Sequence, residues 1–229
     1  MRIFAFWLAA ALVLPGAASA AVPKPWLGLT GSWGTYSMTD VNREIGAIND
    51  TLASSGVPLR MDEINNGLGF GVAAGLDLPG GLTLALAYER LSASTEVSDM
   101  TGGIAYRLPA NAFSVRGQYR FPSPGVGALS LGLGVGWVSE AGALELIAGG
   151  FGGFSLDLEG SGLLLEPFVN GDWWATPQVA LSASAGYRRA KVTEVQVFNQ
   201  TIYNPDGSKY TVDYSGLLLR AGLKLGFMR

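Results

Sequence analysis

Large apolar residues alternate with small or polar ones in eight separate segments of this chain of 229 residues. The last segment shows the pattern most clearly. Over 217–227 the odd positions read Leu217, Leu219, Ala221, Leu223, Leu225 and Phe227, and the even ones Leu218, Arg220, Gly222, Lys224 and Gly226. Side chains of a strand point alternately to its two faces, so one face here suits hydrocarbon and the other carries two cations. The other segments run at about 26–37, 66–78, 82–91, 111–121, 128–138, 162–174 and from 179 to at least 188. Their polar faces are mostly Gly, Ala and Ser, and their apolar faces end in aromatics. A soluble sandwich would hide its apolar face in a core; this pattern suits a barrel whose outside is lipid.

The connections alternate in length. Short turns are expected at 79–81, 122–127 and 175–178, and long ones at 38–65, 92–110, 139–161 and 189–215. This predicts an all-β fold, an eight-stranded antiparallel transmembrane barrel of up-and-down topology, with short turns toward the periplasm and long loops outside. Ten strands would result if 143–158 formed a hairpin of its own. Tyr119, Phe121, Trp173 and Phe227 fall at the short-turn ends of their segments, and Trp33, Tyr88, Trp137 and Tyr187 at the opposite ends. Amphipathic rings favour the headgroup layer, so these residues predict two interfacial belts.

The first 20 residues carry one cation (Arg2), an apolar run over 3–14, a Pro15-Gly16 break and the sequence Ala18-Ser19-Ala20. That is the layout of a cleavable secretory signal, so 1–20 is read as signal peptide and 21–229 as one barrel domain. The apolar run is shorter than the roughly 20 residues a spanning helix needs. The remaining chain has 14 cations against 18 carboxylates, a formal charge of −4, with no basic stripe to hold nucleic acid. Export without spanning helices points to an outer-membrane barrel, because lipid tolerates no open sheet edge.

Signal, eight strands, short inner turns, long outer loops and an aromatic-tipped last strand make the chain resemble the small outer-membrane barrels of the OmpA, OmpX and OmpW type. The likeness covers essentially all of 21–229 and is one of architecture. The chain departs from such barrels in that Phe227 is followed by Met228 and Arg229. The resemblance implies residence in a Gram-negative outer membrane, contact with its lipid and lipopolysaccharide, and folding by the barrel-assembly machinery. A monomer without a peptidoglycan-binding domain is expected.

Two outer loops stand out. In the first, Val41, Ile45, Ile48 and Leu52 form a helical stripe that Thr39 or Asp40 could cap and that Gly56 and Pro58 would stop. It predicts an amphipathic helix across the barrel mouth or on its rim, or a lid over a ligand path. The third loop is unusually apolar: Leu146, Ile147, Phe151 and Phe154 could plug the mouth, extend the neighbouring strands above the membrane, or line an entrance for an apolar solute. The fourth contains Asn204-Pro205-Asp206-Gly207, which predicts a projecting β-hairpin.

The inward faces bring Asp77, Glu89, Glu166 and Asp172 toward Arg116, Arg120, Arg188, Arg220 and Lys224. Buried charges this numerous need partners or water, since an isolated one costs several kcal/mol. A network centred on Arg116 and Arg120, with Glu89 as the partner of Arg116, is therefore expected, and a narrow water-filled slot is the alternative. Catalysis is poorly provided for. With no His and no Cys, the usual general base, the thiol nucleophile and most transition-metal sites are missing. Glu166 and Asp172 share a face but lie about 20 Å apart at ~3.3 Å per residue, too far to cooperate. The reading is a non-enzymatic barrel without cofactor, structural or porin-like with little flux. A narrow channel for small apolar solutes and surface adhesion through the outer loops are the alternatives.

Overall fold

The computed structural model describes residues 22–98, 102–121, 127–148 and 152–227. The signal at 1–20, the turn residues 122–126, Phe151 and the last two residues lie outside these. The strands are β1 (Lys24–Thr35), β2 (Asn66–Asp77), β3 (Leu82–Ser92), β4 (Ser94–Ser98), β5 (Gly102–Arg107), β6 (Ala110–Arg120), β7 (Gly127–Ala148), β8 (Gly152–Trp174) and β9 (Val179–Val192). Short β10 (Gln196–Val197), β11 (Gln200–Thr201) and β12 (Val212–Asp213) precede β13 (Gly216–Gly226), an α-helix, α1, spans Thr39–Ser54, and a 3-10 turn spans Pro79–Gly81.

Eight strands form the ring. Antiparallel pairings run β1 to β2, β3, β6, β7, β8, β9 and β13, and β13 pairs back to β1. Closure leaves the ring without an edge, which is the condition for a sheet in lipid. The alternation expected from the sequence is the one observed. Leu27, Leu29, Phe70, Leu86, Val115, Leu131, Leu165 and Leu223 face outward and are exposed, while Glu89, Glu166, Arg220 and Lys224 face inward and are buried.

The aromatics fall in two rows. At the mouth end, register sets Tyr88, Phe113 and Trp137 side by side on β3, β6 and β7. Their ring centroids are 5.0 and 5.3 Å apart. At the short-turn end, Tyr119 and Phe121 meet edge to face at 5.5 Å. Beyond Trp137 and its partner Leu163, the outward positions turn small or polar: Ser139, Ala143 and Glu145 on β7, Ser161, Glu159 and Asp157 on β8. The apolar belt therefore stops there, and the rest of the β7–β8 hairpin rises above it.

That hairpin decides the strand count. Residues 143–158 continue β7 and β8 in unbroken register, Ala143 opposite Asp157 and Leu146 opposite Phe154, so the ring keeps eight strands and not ten. The second outer loop, which has no clear periodicity, folds as β4 and β5, and β5 adds to the free edge of the β7 extension. The fourth loop does not project. It makes two tight turns, one at Phe198-Asn199 and one at 204–207, and lies over the mouth with Val195, Tyr210, Val212 and Tyr214 buried.

Inside the ring, large side chains lie over positions without a side chain. The Phe168 ring on β8 covers Gly132 on β7, and the Trp26 ring on β1 covers Gly75 on β2. An eight-stranded interior is only about wide enough for side chains to fill, so each ring needs a gap across from it. A Gly132→Val substitution should therefore lower stability by about 1–3 kcal/mol, as overpacking does. Phe168→Ala in the same chain should recover part of that loss, measured by urea unfolding of the barrel in lipid vesicles.

Candidate functional site

The lumen is built in three storeys, and strand register sets the height of each. Nearest the short turns, Asp77 (β2) and Asp172 (β8) meet Arg120 (β6) and Lys224 (β13). Lys224 Nζ lies 3.2 Å from Asp77 Oδ1 and 3.4 Å from Asp172 Oδ2. Arg120 Nη2 reaches Asp77 at 3.0 Å and Asp172 at 3.8 Å. Neutral groups take up the remaining lone pairs: Thr83 Oγ1 donates to Asp77 at 2.8 Å and Asn170 Nδ2 to Asp172 at 2.9 Å. The Trp26 ring lies 4.4 Å from Lys224 Nζ, a cation–π contact.

The middle storey holds Glu89 (β3), Glu166 (β8), Arg116 (β6), Arg188 (β9) and Arg220 (β13). Arg220 is its centre. Its Nη1 and Nη2 donate to the two oxygens of Glu166 at 2.6 and 2.7 Å. Its Nε and Nη2 donate to Glu89 Oε2 at 3.0 and 2.6 Å. Arg188 Nη2 donates to Glu89 Oε1 at 2.7 Å, and Ser32 Oγ donates to the same oxygen at 2.7 Å. The expected centre, Arg116, is peripheral: it stands 3.5 Å from Glu89 and 3.6 Å from Glu166. Arg220 and Arg188 reach across the lumen and take the carboxylates first.

Above the charges lies an apolar cap. Leu91, Ala112, Val138, Leu164, Ala190 and Val192, from the upper ends of the strands, and Leu108, between β5 and β6, pack with Val41 and Ile45 of α1 and with Met61 and Ile64 beyond it. This is the mouth, and the helix lies over it. The expected helix cap is not used. Met38, in a left-handed conformation, is the N-cap residue and supplies no side-chain bond. Thr39 Oγ1 donates to Ser37 O, and the Asp40 carboxylate turns instead to the fourth loop, accepting from Thr211 N at 3.0 Å and Thr211 Oγ1 at 2.7 Å. Two buried phenols complete the clamp: Tyr106 and Tyr210 each donate to Glu44 Oε2 at 3.0 Å. Nothing in the sequence singled out these tyrosines, which sit in loops without periodicity.

The third outer loop contributes to the cap as well. Leu158 is buried in it and Leu144 packs against it. Leu146, Ile147 and Phe154 fall on the β7–β8 extension; Phe151 lies outside the described residues. Within the cap one carboxyl stands apart. Glu140 sits on β7 beyond the belt at Trp137 and is 4% exposed, and among the described residues no donor meets either oxygen with full hydrogen-bond geometry. The neighbouring Tyr214 hydroxyl donates to Leu108 O at 3.0 Å. Burial pushes Glu140 up to about 8, so the side chain is largely neutral at pH 7.

These features define the class: a closed, filled β-barrel with an apolar outer belt, the fold of the small outer-membrane barrels. No protein-family model matches the chain, and no curated protein matches it in sequence. Solved structures match it in shape. Neisserial surface protein A (NspA) has a TM-score of 0.50 at 13% identity, covering 89% of this chain and 97% of that one. The outer membrane protein OprG of Pseudomonas aeruginosa has 0.49 at 12%, covering 91% and 97%. The outer membrane protease OmpT of Escherichia coli has 0.42 at 12%, covering 91% and 98%. At such identities the likeness concerns the fold alone.

Two predictions follow from the lumen's geometry. Arg220→Ala leaves both Glu89 and Glu166 short of a partner and should cost about 3–5 kcal/mol. Arg116→Ala should cost clearly less, compared by equilibrium unfolding in urea. The second concerns pH. Glu140 holds its proton in the folded chain up to about pH 8, whereas a hydrated carboxyl releases it near 4.5. The stability it confers is complete below 4.5, falls by up to about 1.4 kcal/mol per pH unit as pH rises toward 8, and is gone above. Glu140→Gln should flatten the stability profile across that window.

Proposed function

We propose that this protein is a non-enzymatic integral protein of a bacterial outer membrane, exported by its leader and working as a closed structural barrel with little or no flux. The observation that carries the proposal is that side chains block the lumen at successive levels along its length. Two storeys of paired charge occupy the membrane-spanning part, and an apolar cap with a helix over it occupies the mouth. A pore would need a continuous polar lining and room for a hydrated ion. Here Arg188, Glu166 and Leu91, at 2% exposure or less, stand where that path would run.

The belt of outward Leu, Val and Phe with aromatic rows at both ends supports lipid as the surroundings. Outer-membrane lipid and lipopolysaccharide are then its immediate partners, the barrel-assembly machinery its partner during folding, and a monomer its working state. Absence of His and Cys supports a non-enzymatic role. The packing of Leu144 and Leu158 into the cap favours the third outer loop as part of the plug over an entrance for apolar solutes.

Planar-bilayer recording together with liposome swelling tests this reading. Purified barrel should give no steady single-channel current and should not speed swelling in small sugars. Steady large currents would reject the closed barrel, and a reproducible hydrolase or transferase activity would reject the non-enzymatic role.

A further inference from the structure

The charges of the two lower storeys do not cancel. Five cations, Arg116, Arg120, Arg188, Arg220 and Lys224, face four carboxylates, Asp77, Glu89, Glu166 and Asp172. The storey near the short turns balances, with two of each sign. The middle storey has three guanidiniums on two carboxylates. Arginine keeps its charge in proteins, and a buried charge without a counter-charge is costly. One positive charge in the middle storey is therefore uncompensated among the described residues.

The excess falls on Arg116. Arg188 and Arg220 hold the two carboxylates at 2.6–2.7 Å, whereas Arg116 stands off at 3.5 and 3.6 Å. Its Nε is buried and has no acceptor among the described residues. Arg116 borders a cavity of about 70 Å³ that lies between the two storeys, with Arg220 and Lys224 also on its wall. Trp26 is on the wall too, and its Nε1 is a second buried donor without an acceptor. Thr30 and Gln118 add polar groups. Asp172 also reaches the wall, but its carboxylate is taken up by Asn170 at 2.9 Å and Lys224 at 3.4 Å.

We propose that this cavity holds one small monovalent anion, of the size of chloride or bromide, against the Arg116 guanidinium as the counter-ion of the lumen. Water could satisfy the idle N–H groups but would leave the charge. A divalent oxyanion would turn an excess of one positive charge into one negative. A single monovalent ion brings the two storeys to neutrality and gives the Arg116 donors a charged acceptor, the stronger kind of hydrogen bond. The volume admits such an ion with part of its hydration shell and excludes a lipid or a sugar phosphate.

The test is thermal unfolding of the mature barrel in detergent micelles along a sodium chloride series, against sodium gluconate at matched ionic strength. Chloride and bromide should raise the unfolding midpoint and gluconate should not. Far above half-saturation each tenfold rise in chloride should raise the folding constant about tenfold. Arg116→Gln balances the middle storey and should abolish the chloride response. Lys191→Gln, which removes an exposed cation on the outward face of β9, should keep it. Bromide-soaked crystals of the unaltered protein provide a readout that no variant's folding can spoil: the anomalous peak should lie beside Arg116. Equal responses to chloride and gluconate, a response that survives Arg116→Gln or vanishes in Lys191→Gln, or bromide only on the outer surface would each overturn the proposal.

Discussion

Arg220 donates four hydrogen bonds to Glu89 and Glu166, two carboxylates that reach it from β3 and β8. The three residues tie together strands that are not neighbours in the ring. Taking these charges out of water costs several kcal/mol each, and only near-complete pairing returns that cost. Once the carboxylates are fixed by Arg220, the places of Arg188, Ser32 and Arg116 follow from which lone pairs are left. Strand register is then constrained from inside as well as from outside. A slip of one residue on β13 would send Arg220 into lipid and strand both glutamates.

The cap depends on the same arrangement and reinforces it. Leu91, Ala112, Leu164, Ala190 and Leu218 sit at the level just above the charges and keep bulk water from them. Water exclusion lowers the local dielectric and strengthens each charge-assisted bond beneath, provided every partner is in place. The helix closes this layer from above. Glu44, accepting from Tyr106 and Tyr210, and Asp40, accepting from Thr211, fasten α1 to the second and fourth outer loops. Glu140 is the exception within this layer, a carboxyl kept largely neutral by burial.

The period of two made the eight ring strands legible in the sequence, and with them the outward belt, because alternation is a local property of the chain. The helix was legible for the same reason, in the spacing of Val41, Ile45, Ile48 and Leu52. Alternation also assigned the nine charged residues to the lumen face. It did not say which would pair. A long guanidinium reaches across an eight-stranded lumen, so a cation on β13 or β9 competes with the cation on the strand next door, and Arg220 displaced Arg116 as the centre. The cap was hidden for a different reason. Tyr106, Tyr210 and Tyr214 lie in loops, and only the three-dimensional meeting of four loops buries them. The strand pair β4–β5 was hidden because its pairing depends on β7 extending above the belt.

A double-mutant cycle between Glu89 and Arg220 tests the account at its centre. Glu89→Gln, Arg220→Met and the double variant would be compared with the parent by equilibrium unfolding in lipid vesicles. If this contact organises the lumen, the coupling energy should be at least about 2 kcal/mol. A coupling below about 0.5 kcal/mol, the level of residues that do not interact, would contradict the account and mean that water or other side chains satisfy these charges independently.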